Sequence, residues 1–256
     1  MKSVITALIC IVFFSCQQEK NKSHVTNDLK GRSLKGKVKS LTENSYNVII
    51  DSGGARKDSL VRSNVFVFNL RGDEIEQWRS NKDGILGKRP KTIFKYKYDD
   101  MGFPLERDQY LTSDSVPFKI KYTYDAVHNL IENNMYHSDT MNSAYKQVYK
   151  YDLNGNKIEE FDGNIRSFYK YDEKGNQIES FDSCYDSKLG QNTKGISKYN
   201  DAGFEIETIV SFLKDNTTDK YEYKYSGYDK EGNWTSRTDF KNGKAISIEE
   251  QKIEYY

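Results

Sequence analysis

The chain has 256 residues, of which 36% are hydrophobic, 30% charged and 14% aromatic, with 20 Tyr against 2 Trp. That length suits one large domain or two small ones, and so little apolar content excludes a body of membrane-spanning helices, while the aromatic and β-branched residues speak against general disorder. Lys and Arg number 39 against 38 Asp and Glu, a formal charge of +1, which gives nucleic acid no electrostatic footprint.

The start, MKSVITALICIVFFSC, carries one cation at Lys2, an apolar run from Val4 to Phe14 and small Ser15 before Cys16. The run is shorter than the roughly 20 residues of a bilayer-crossing helix and suits the core of an export signal. The FFSC junction resembles the lipobox of bacterial lipoproteins, which implies cleavage before Cys16 once its thiol is acylated; a plain secretory signal or an uncleaved anchor is the alternative. Several acyl chains together give stable anchoring where one holds only marginally. QQEKNKSHVTND follows without an apolar period and reads as a flexible polar tether. The expected organisation is therefore a leader over 1–15, lipidated Cys16 and tether over 16–33, and a folded β domain over 34–256. Cys10 belongs to the leader and Cys16 to the lipid, so Cys184 stands alone. No disulfide can form within the mature chain, and Cys184 reads as a buried or incidental thiol.

Residues Leu34 to Ile50 read as opening strands. A self-similar motif then recurs: FVFNLRGDEIE from Phe66, YKYDDMGFPLE from Tyr96, YTYDAVHNLIE from Tyr122, YKYDLNGNKIE from Tyr149, YKYDEKGNQIE from Tyr169, SKYNDAGFEIE from Ser197 and SGYDKEGNWTS from Ser226. An aromatic-x-aromatic pair has the period of a strand, so Tyr149 and Tyr151 share a face and Lys150 points away. Asp152 opens the turn, where its carboxylate can accept the N–H two residues on. Gly155 stands where a short hairpin loop needs positive φ. Asp99, Asp125, Asp172 and Asp229 take the place of Asp152, and Gly102, Gly175, Gly203 and Gly232 that of Gly155. His128 replaces this Gly in one copy, with Asn129 beside it able to adopt a left-handed backbone. Asp162-Gly163-Asn164 reads as a further tight turn, so Tyr149 to Phe181 gives four strands in a meander. AISIEEQKIEYY closes the chain as another strand.

Variable spacing between copies argues for hairpins with loops of unequal length. The expected fold is all-β, an antiparallel β-hairpin meander forming one long twisted or curled sheet, with closure into a barrel left open. Lys and Glu scattered along the strands read as its wet face.

YKYDLNGNKIE and YKYDEKGNQIE resemble the YD repeats of RHS-type bacterial proteins, over roughly Asn64 to Arg237. The resemblance implies antiparallel strands winding into a shell, which in large members encloses toxins or is displayed at the cell surface. With the lipobox, the chain is similar to small YD-repeat lipoproteins of Bacteroidetes-type bacteria, which implies the cell envelope, lipid-anchored to the outer membrane. The same resemblance marks Ser59, Ser115 and Thr140, in Asp-Ser/Thr-apolar triplets, as candidate O-glycosylation sites.

No motif for catalysis or metal stands out. His24, His128 and His137 fall in no metal spacing, and the DLNGN and DEKGN loops lack the alternating ligands of a calcium loop, so no cofactor or metal is expected. Glu132, Glu159, Glu179 and Glu207 recur at one repeat position, which points to structure rather than to a glycosidase pair. The tyrosines read first as cross-strand packing; Trp78 and Trp234 are the candidate binding aromatics, since an amphipathic ring suits a sugar or a peptide. The expectation is a non-enzymatic, membrane-anchored module that binds a glycan or a surface protein. The alternatives are an encapsulating shell element and, behind it, a glycan-acting enzyme with converging carboxylates in a cleft.

Overall fold

The structure is a computed structural model, which describes residues 27–81, 91–111, 116–137, 143–184 and 192–256. Cys16, His24, Ser115 and Thr140 lie outside them. A one-turn helix, α1 (Asp28–Gly31), precedes β1 (Val38–Asp51), β2 (Gly54–Phe68), β3 (Glu74–Asn81), β4 (Thr92–Tyr98), β5 (Pro104–Leu111), β6 (Phe118–Tyr124), β7 (Leu130–His137) and β8 (Ser143–Tyr151). The second half runs β9 (Lys157–Phe161), β10 (Ile165–Tyr171), β11 (Gln177–Cys184), β12 (Thr193–Tyr199), β13 (Glu205–Phe212), β14 (Thr217–Tyr228), β15 (Trp234–Lys241) and β16 (Lys244–Tyr255). Each strand pairs antiparallel with the next, and β1 pairs with β16, Leu41 opposite Ile253 and Tyr46 opposite Ile248. The expected meander thus closes into a barrel, which removes the two edges an open sheet would expose.

Seven of the hairpins are the repeat copies, all at one end of the barrel, and they share one turn. In the third YxYD copy, Asp152 Oδ1 accepts the N–H of Asn154 at 2.9 Å and of Asn156 at 2.8 Å, while Gly155 takes φ +78°. Asn156 Nδ2 donates back to Asp152 Oδ2 at 3.0 Å. One aspartate therefore satisfies the donors of the loop, and glycine relieves the left-handed residue. In the copy without glycine the left-handed position falls on His128 itself, φ +65°, and not on Asn129. The imidazole stacks on Phe103 with centroids 4.4 Å apart.

Directly after each turn the ladder slips by one residue. Lys150 faces Glu159 but Tyr151 faces Lys157, so Ile158 is the extra residue of a β-bulge. The same slip occurs before Phe68, Tyr98, Tyr124, Tyr171, Tyr199 and Tyr228. A bulge adds local twist, and seven at one level help to curl the sheet toward closure. It also turns the repeated glutamates outward, and several of them lie between cations of their two neighbouring strands. Glu106 meets Lys97 and Lys119 at 2.7 and 2.6 Å, Glu179 meets Lys170 and Lys194 at 2.7 and 3.1 Å, and Glu207 meets Lys198 and Lys220 at 2.6 and 3.0 Å.

The tyrosines face inward, and their hydroxyls tie one copy to the last. Tyr171 donates to the Lys157 carbonyl at 2.7 Å, Tyr199 to that of Gln177 at 2.9 Å and Tyr124 to that of Pro104 at 2.8 Å. At the repeat end the barrel is crossed by residues 27–37. Leu29, at 8% exposure, joins Val38, Leu41, Phe66 and Phe68 in an apolar core, with Leu34, Ile253 and Tyr255 against it. Residues 27–33, expected as the end of a polar tether, are therefore partly a packed strap. Asn27 caps α1 through the Lys30 N–H at 2.9 Å, and Asp28 accepts the Glu74 N–H at 2.7 Å.

Candidate functional site

Beneath the strap, on the inner wall formed by β12 to β16 and by β1 and β2, lies a cavity of about 520 Å³. That is within the range of small-ligand sites, which hold an apolar lining and a few convergent polar groups. Its apolar wall comes from the turn and first strand residues of two copies. Phe204 and Tyr225 have ring centroids 5.4 Å apart, and Tyr225 and Trp234 5.9 Å. Trp234 follows the last turn residue Asn233 and lies opposite Tyr228, a register that sends its indole inward. Burial pushes the neighbouring Tyr199 phenol up to about 12, so it stays a neutral donor and acceptor across ordinary pH.

The polar wall is headed by Arg237. Its guanidinium lies 5.0 Å from the Trp234 centroid and 4.8 Å from that of Tyr223, and it grips Asp239 through two bonds of 2.6 and 3.0 Å. Burial raises the Asp239 pKa against the opposing pull of Arg237. Arg32 reaches from the strap to Glu74 at 2.9 Å and lies 3.9 Å from Glu43, and burial likewise raises the Glu74 carboxyl. Glu249 accepts from Ser45 at 2.7 Å, and Glu205 from Ser197 at 2.6 Å and from Thr208. The other two carboxylates of the lining also lie beside cations, Glu43 beside Arg32 and Glu250 beside Lys57 at 2.6 Å. Gln251 Oε1, in the cavity wall, is buried and has no hydrogen-bond partner among the described residues. Cations Arg32, Arg62 and Arg237 stand against Glu43, Glu205, Asp239, Glu249 and Glu250, an acidic excess that disfavours an anionic ligand.

The candidate residues fall in three places. Trp234 lines the cavity, whereas Trp78 is on the outer wall, with the Lys91 ammonium 5.6 Å from its ring centroid. Asp99, Asp125, Asp152, Asp172 and Asp229 with Gly102, Gly155, Gly175, Gly203 and Gly232 make the turns, and of these only Gly203 borders the cavity. Ser59 sits half-buried within β2 and accepts from Asn47 at 2.9 Å. Cys184 is half-buried at the end of β11 and donates its N–H to Asn192 at 3.0 Å. Among the described residues no group of three His, Cys, Asp or Glu could hold a metal ion. Sequence reasoning missed Phe204, Tyr225, Arg237 and Asp239. Their signal was available for Tyr225 and Arg237 alone, as neighbours of Trp234 once the last hairpin is aligned.

The fold defines the class as a closed, antiparallel, up-and-down β-barrel with a polar outer wall. No family model and no curated protein matches the chain. Solved structures do: TcdB2-TccC3 without its hypervariable C-terminal region is similar at 13% identity and a TM-score of 0.39, over 73% of this chain and 10% of that one. A porin-like protein from Bacteroides uniformis ATCC 8492 is similar at 10% identity and a TM-score of 0.47, over 85% of this chain and 98% of that one. The chain spans about a tenth of the TcdB2-TccC3 chain.

Proposed function

We propose that this chain is a lipid-anchored protein of the bacterial cell envelope whose barrel binds a neutral glycan, without turning it over, in the cavity beneath the strap. The observation that carries the reading is the joint presence of Trp234, Tyr225 and Phe204 with the Arg237–Asp239 pair in one cavity on the inner wall. Pyranose rings present C–H faces to aromatic rings and hydroxyls to planar polar groups, and this wall offers both. Arg237 takes both oxygens of Asp239, which supports binding over hydrolysis at that carboxylate, because a general acid or nucleophile needs a free oxygen toward the substrate.

The charged outer wall supports a water-facing barrel held at the membrane by its lipid. A barrel crossing the bilayer would carry an outward apolar band about 25 Å tall. Here the outward positions of β4 to β14 carry the Lys–Glu–Lys ladders instead. An encapsulating role is less supported, since Leu29, Phe66 and Phe68 fill the repeat end.

A glycan screen on the full chain, followed by calorimetry, tests the reading. Trp234→Ala is expected to weaken the best ligand more than tenfold, a buried anchor aromatic contributing about 2 kcal/mol or more. Trp78→Ala, on the outer wall, is expected to leave affinity unchanged. Equal losses in the two variants, or silence across the screen, would remove the glycan reading.

A further inference from the structure

The seven repeat turns differ in one respect that the turn geometry does not require. Four consecutive tips carry an apolar residue at full reach into solvent: Leu70 is 71% exposed, Met101 65%, Val127 61% and Leu153 106%. The remaining three tips carry Glu173 and Lys174, Asp201 and Ala202, and Lys230 and Glu231 at the same places, all exposed. Any of these residues would serve the turn, whose bonds come from the first and last positions and from glycine. Repeat hairpins alternate with other strand pairs, so neighbouring tips lie about 10 Å apart and the apolar arc spans roughly 30 Å of the rim.

A second observation names what faces this arc. Asn27, the first described residue, is fixed to its first tip, donating its side-chain N–H to the Arg71 carbonyl at 2.6 Å, next to Leu70. Cys16 lies eleven residues before it, a distance that even a fully extended chain spans in no more than about 40 Å. If Cys16 carries lipid, the bilayer lies within that reach of the rim, on the side where the chain leaves.

We infer that the arc of Leu70, Met101, Val127 and Leu153 is a membrane-contact surface that rests on the lipid bilayer holding the Cys16 anchor, with the charged tips raised from it. The inference rests on the lipid-anchor reading and adds an orientation to it. Scattered single apolar residues are ordinary on a protein surface, but four successive tips of this kind, with the exposed Arg71 and Asp100 among them, make one side of the rim apolar-rich against a charged side, and an apolar area rimmed by charge marks an interaction site. Lipid anchors and apolar side chains act together as separate membrane signals. The tilt leaves the cavity, which borders the turn of Gly203 and Phe204, on the raised side and open to ligand.

The test uses the full, lipidated chain in phosphatidylethanolamine/phosphatidylglycerol vesicles containing spin-labelled lipid. In a Cys184→Ser background, an environment-sensitive fluorophore is placed at Asn154→Cys beside the apolar tip, at Glu173→Cys on the charged arc, and at Ser52→Cys at the far end of the barrel. The label at 154 is expected to be quenched by the lipid severalfold more than that at 173, with 52 silent. Changing Leu70, Met101, Val127 and Leu153 to Ser is expected to abolish the quenching while the protein remains attached. Attached protein with equal, weak quenching at all three sites would overturn the inference and leave the anchor standing. Shielding at 154 that follows protein density rather than lipid would assign the arc to a second copy, and also overturn it. The anchor is read separately: Cys16→Ala is expected to release the protein, and unchanged attachment would sink the anchor reading itself.

Discussion

A single residue decides each repeat turn, and the cost of changing it follows from what surrounds it. Gly155 has φ +78°, so Gly155→Ala is expected to destabilise by about 1 kcal/mol through backbone strain alone. Gly102, at φ +89°, meets a further obstacle: a Cβ there would fall 1.6 Å from Arg71 Nη2, which donates to the Gly102 carbonyl at 2.5 Å. Gly102→Ala is therefore expected to cost more than Gly155→Ala, with the loss of that bond added. His128 shows the opposite balance. Replacing it by Gly relieves a left-handed residue, worth about 1–2 kcal/mol, but forfeits the stack on Phe103, worth about 0.5–1.5 kcal/mol, so His128→Gly is expected to be near neutral. Denaturant unfolding of the three variants reads the order, and a His128→Gly loss larger than that of Gly102→Ala would contradict it. These turns were legible in the sequence because the chemistry is local: an Asp, two residues, a Gly and the residue after it specify their own hydrogen bonds. The shift of the left-handed position onto His128 was not, since it depends on the fixed register of the five-residue loop rather than on which residue tolerates it best.

At the scale of the strand pair, the bulge sets which charges meet. An alternating pattern from Asn156 onward assigns Ile158 and Glu159 to opposite faces; the slip after Lys150 places both outward and brings Glu159 to Lys150 at 2.7 Å and to Arg166. Nothing in the local sequence announces a bulge, which arises from fitting a five-residue turn to a twisted pair, so this part of the architecture stayed hidden. Its consequence is measurable. Hydrogen bonds from Lys119, Lys150, Lys170 and Lys198 hold Glu106, Glu159, Glu179 and Glu207 below their ordinary pKa of 4.5. A carboxylate with a lowered folded pKa contributes stability above its unfolded pKa and loses it as the pH falls through the folded value. Asp239 and Glu74, raised by burial, act with the opposite sign, their protonation relieving the fold. The lowered group is the more numerous, so stability is expected to fall on acidification below about pH 4.5, the ordinary carboxylate range. Raised salt is expected to blunt this loss, the ladders being exposed and screened. A denaturation midpoint that stays constant or rises between neutral and acid pH would contradict the ladder's role, and Glu207→Gln, which removes one rung, is expected to flatten the acid limb.

For the whole molecule the decisive contact is the seam, where the two ends of the chain meet, and it was the least legible feature of all. Strand pairing within hairpins follows from short loops, but the meeting of β1 with β16 joins residues such as Leu41 and Ile253, and no local pattern fixes a contact over that separation. Trp234 was equally ambiguous beside Trp78 until the register with Tyr228 sent one indole inward and left the other outside. Beside the ladder of β1 and β16, the repeat end of the seam is held by Asn233, the last residue of the last repeat turn, which is only 1% exposed. Its Oδ1 accepts the Lys35 N–H at 2.7 Å, and its Nδ2 donates to the Lys35 carbonyl at 2.9 Å and to the Tyr255 hydroxyl at 2.8 Å. One amide thus clasps the strap, the final strand and the turn, while Tyr256 donates to the Phe68 carbonyl at 2.5 Å across β1. Asn156 and Asn176 hold the same place in their copies and bond only their own aspartates, so the matched pair separates a turn effect from a seam effect. Asn233→Ala removes these three part-buried hydrogen bonds and is expected to cost about 2–4 kcal/mol, at roughly 0.5–1.5 kcal/mol for each bond. Asn176→Ala is expected to cost about 1 kcal/mol, the net worth of one such bond. Hydrogen exchange gives the finer reading: in Asn233→Ala, amides of β1 and β16 are expected to lose protection together while those of β8 to β11 keep theirs. Exchange that accelerates evenly around the barrel would mean that closure does not depend on this clasp.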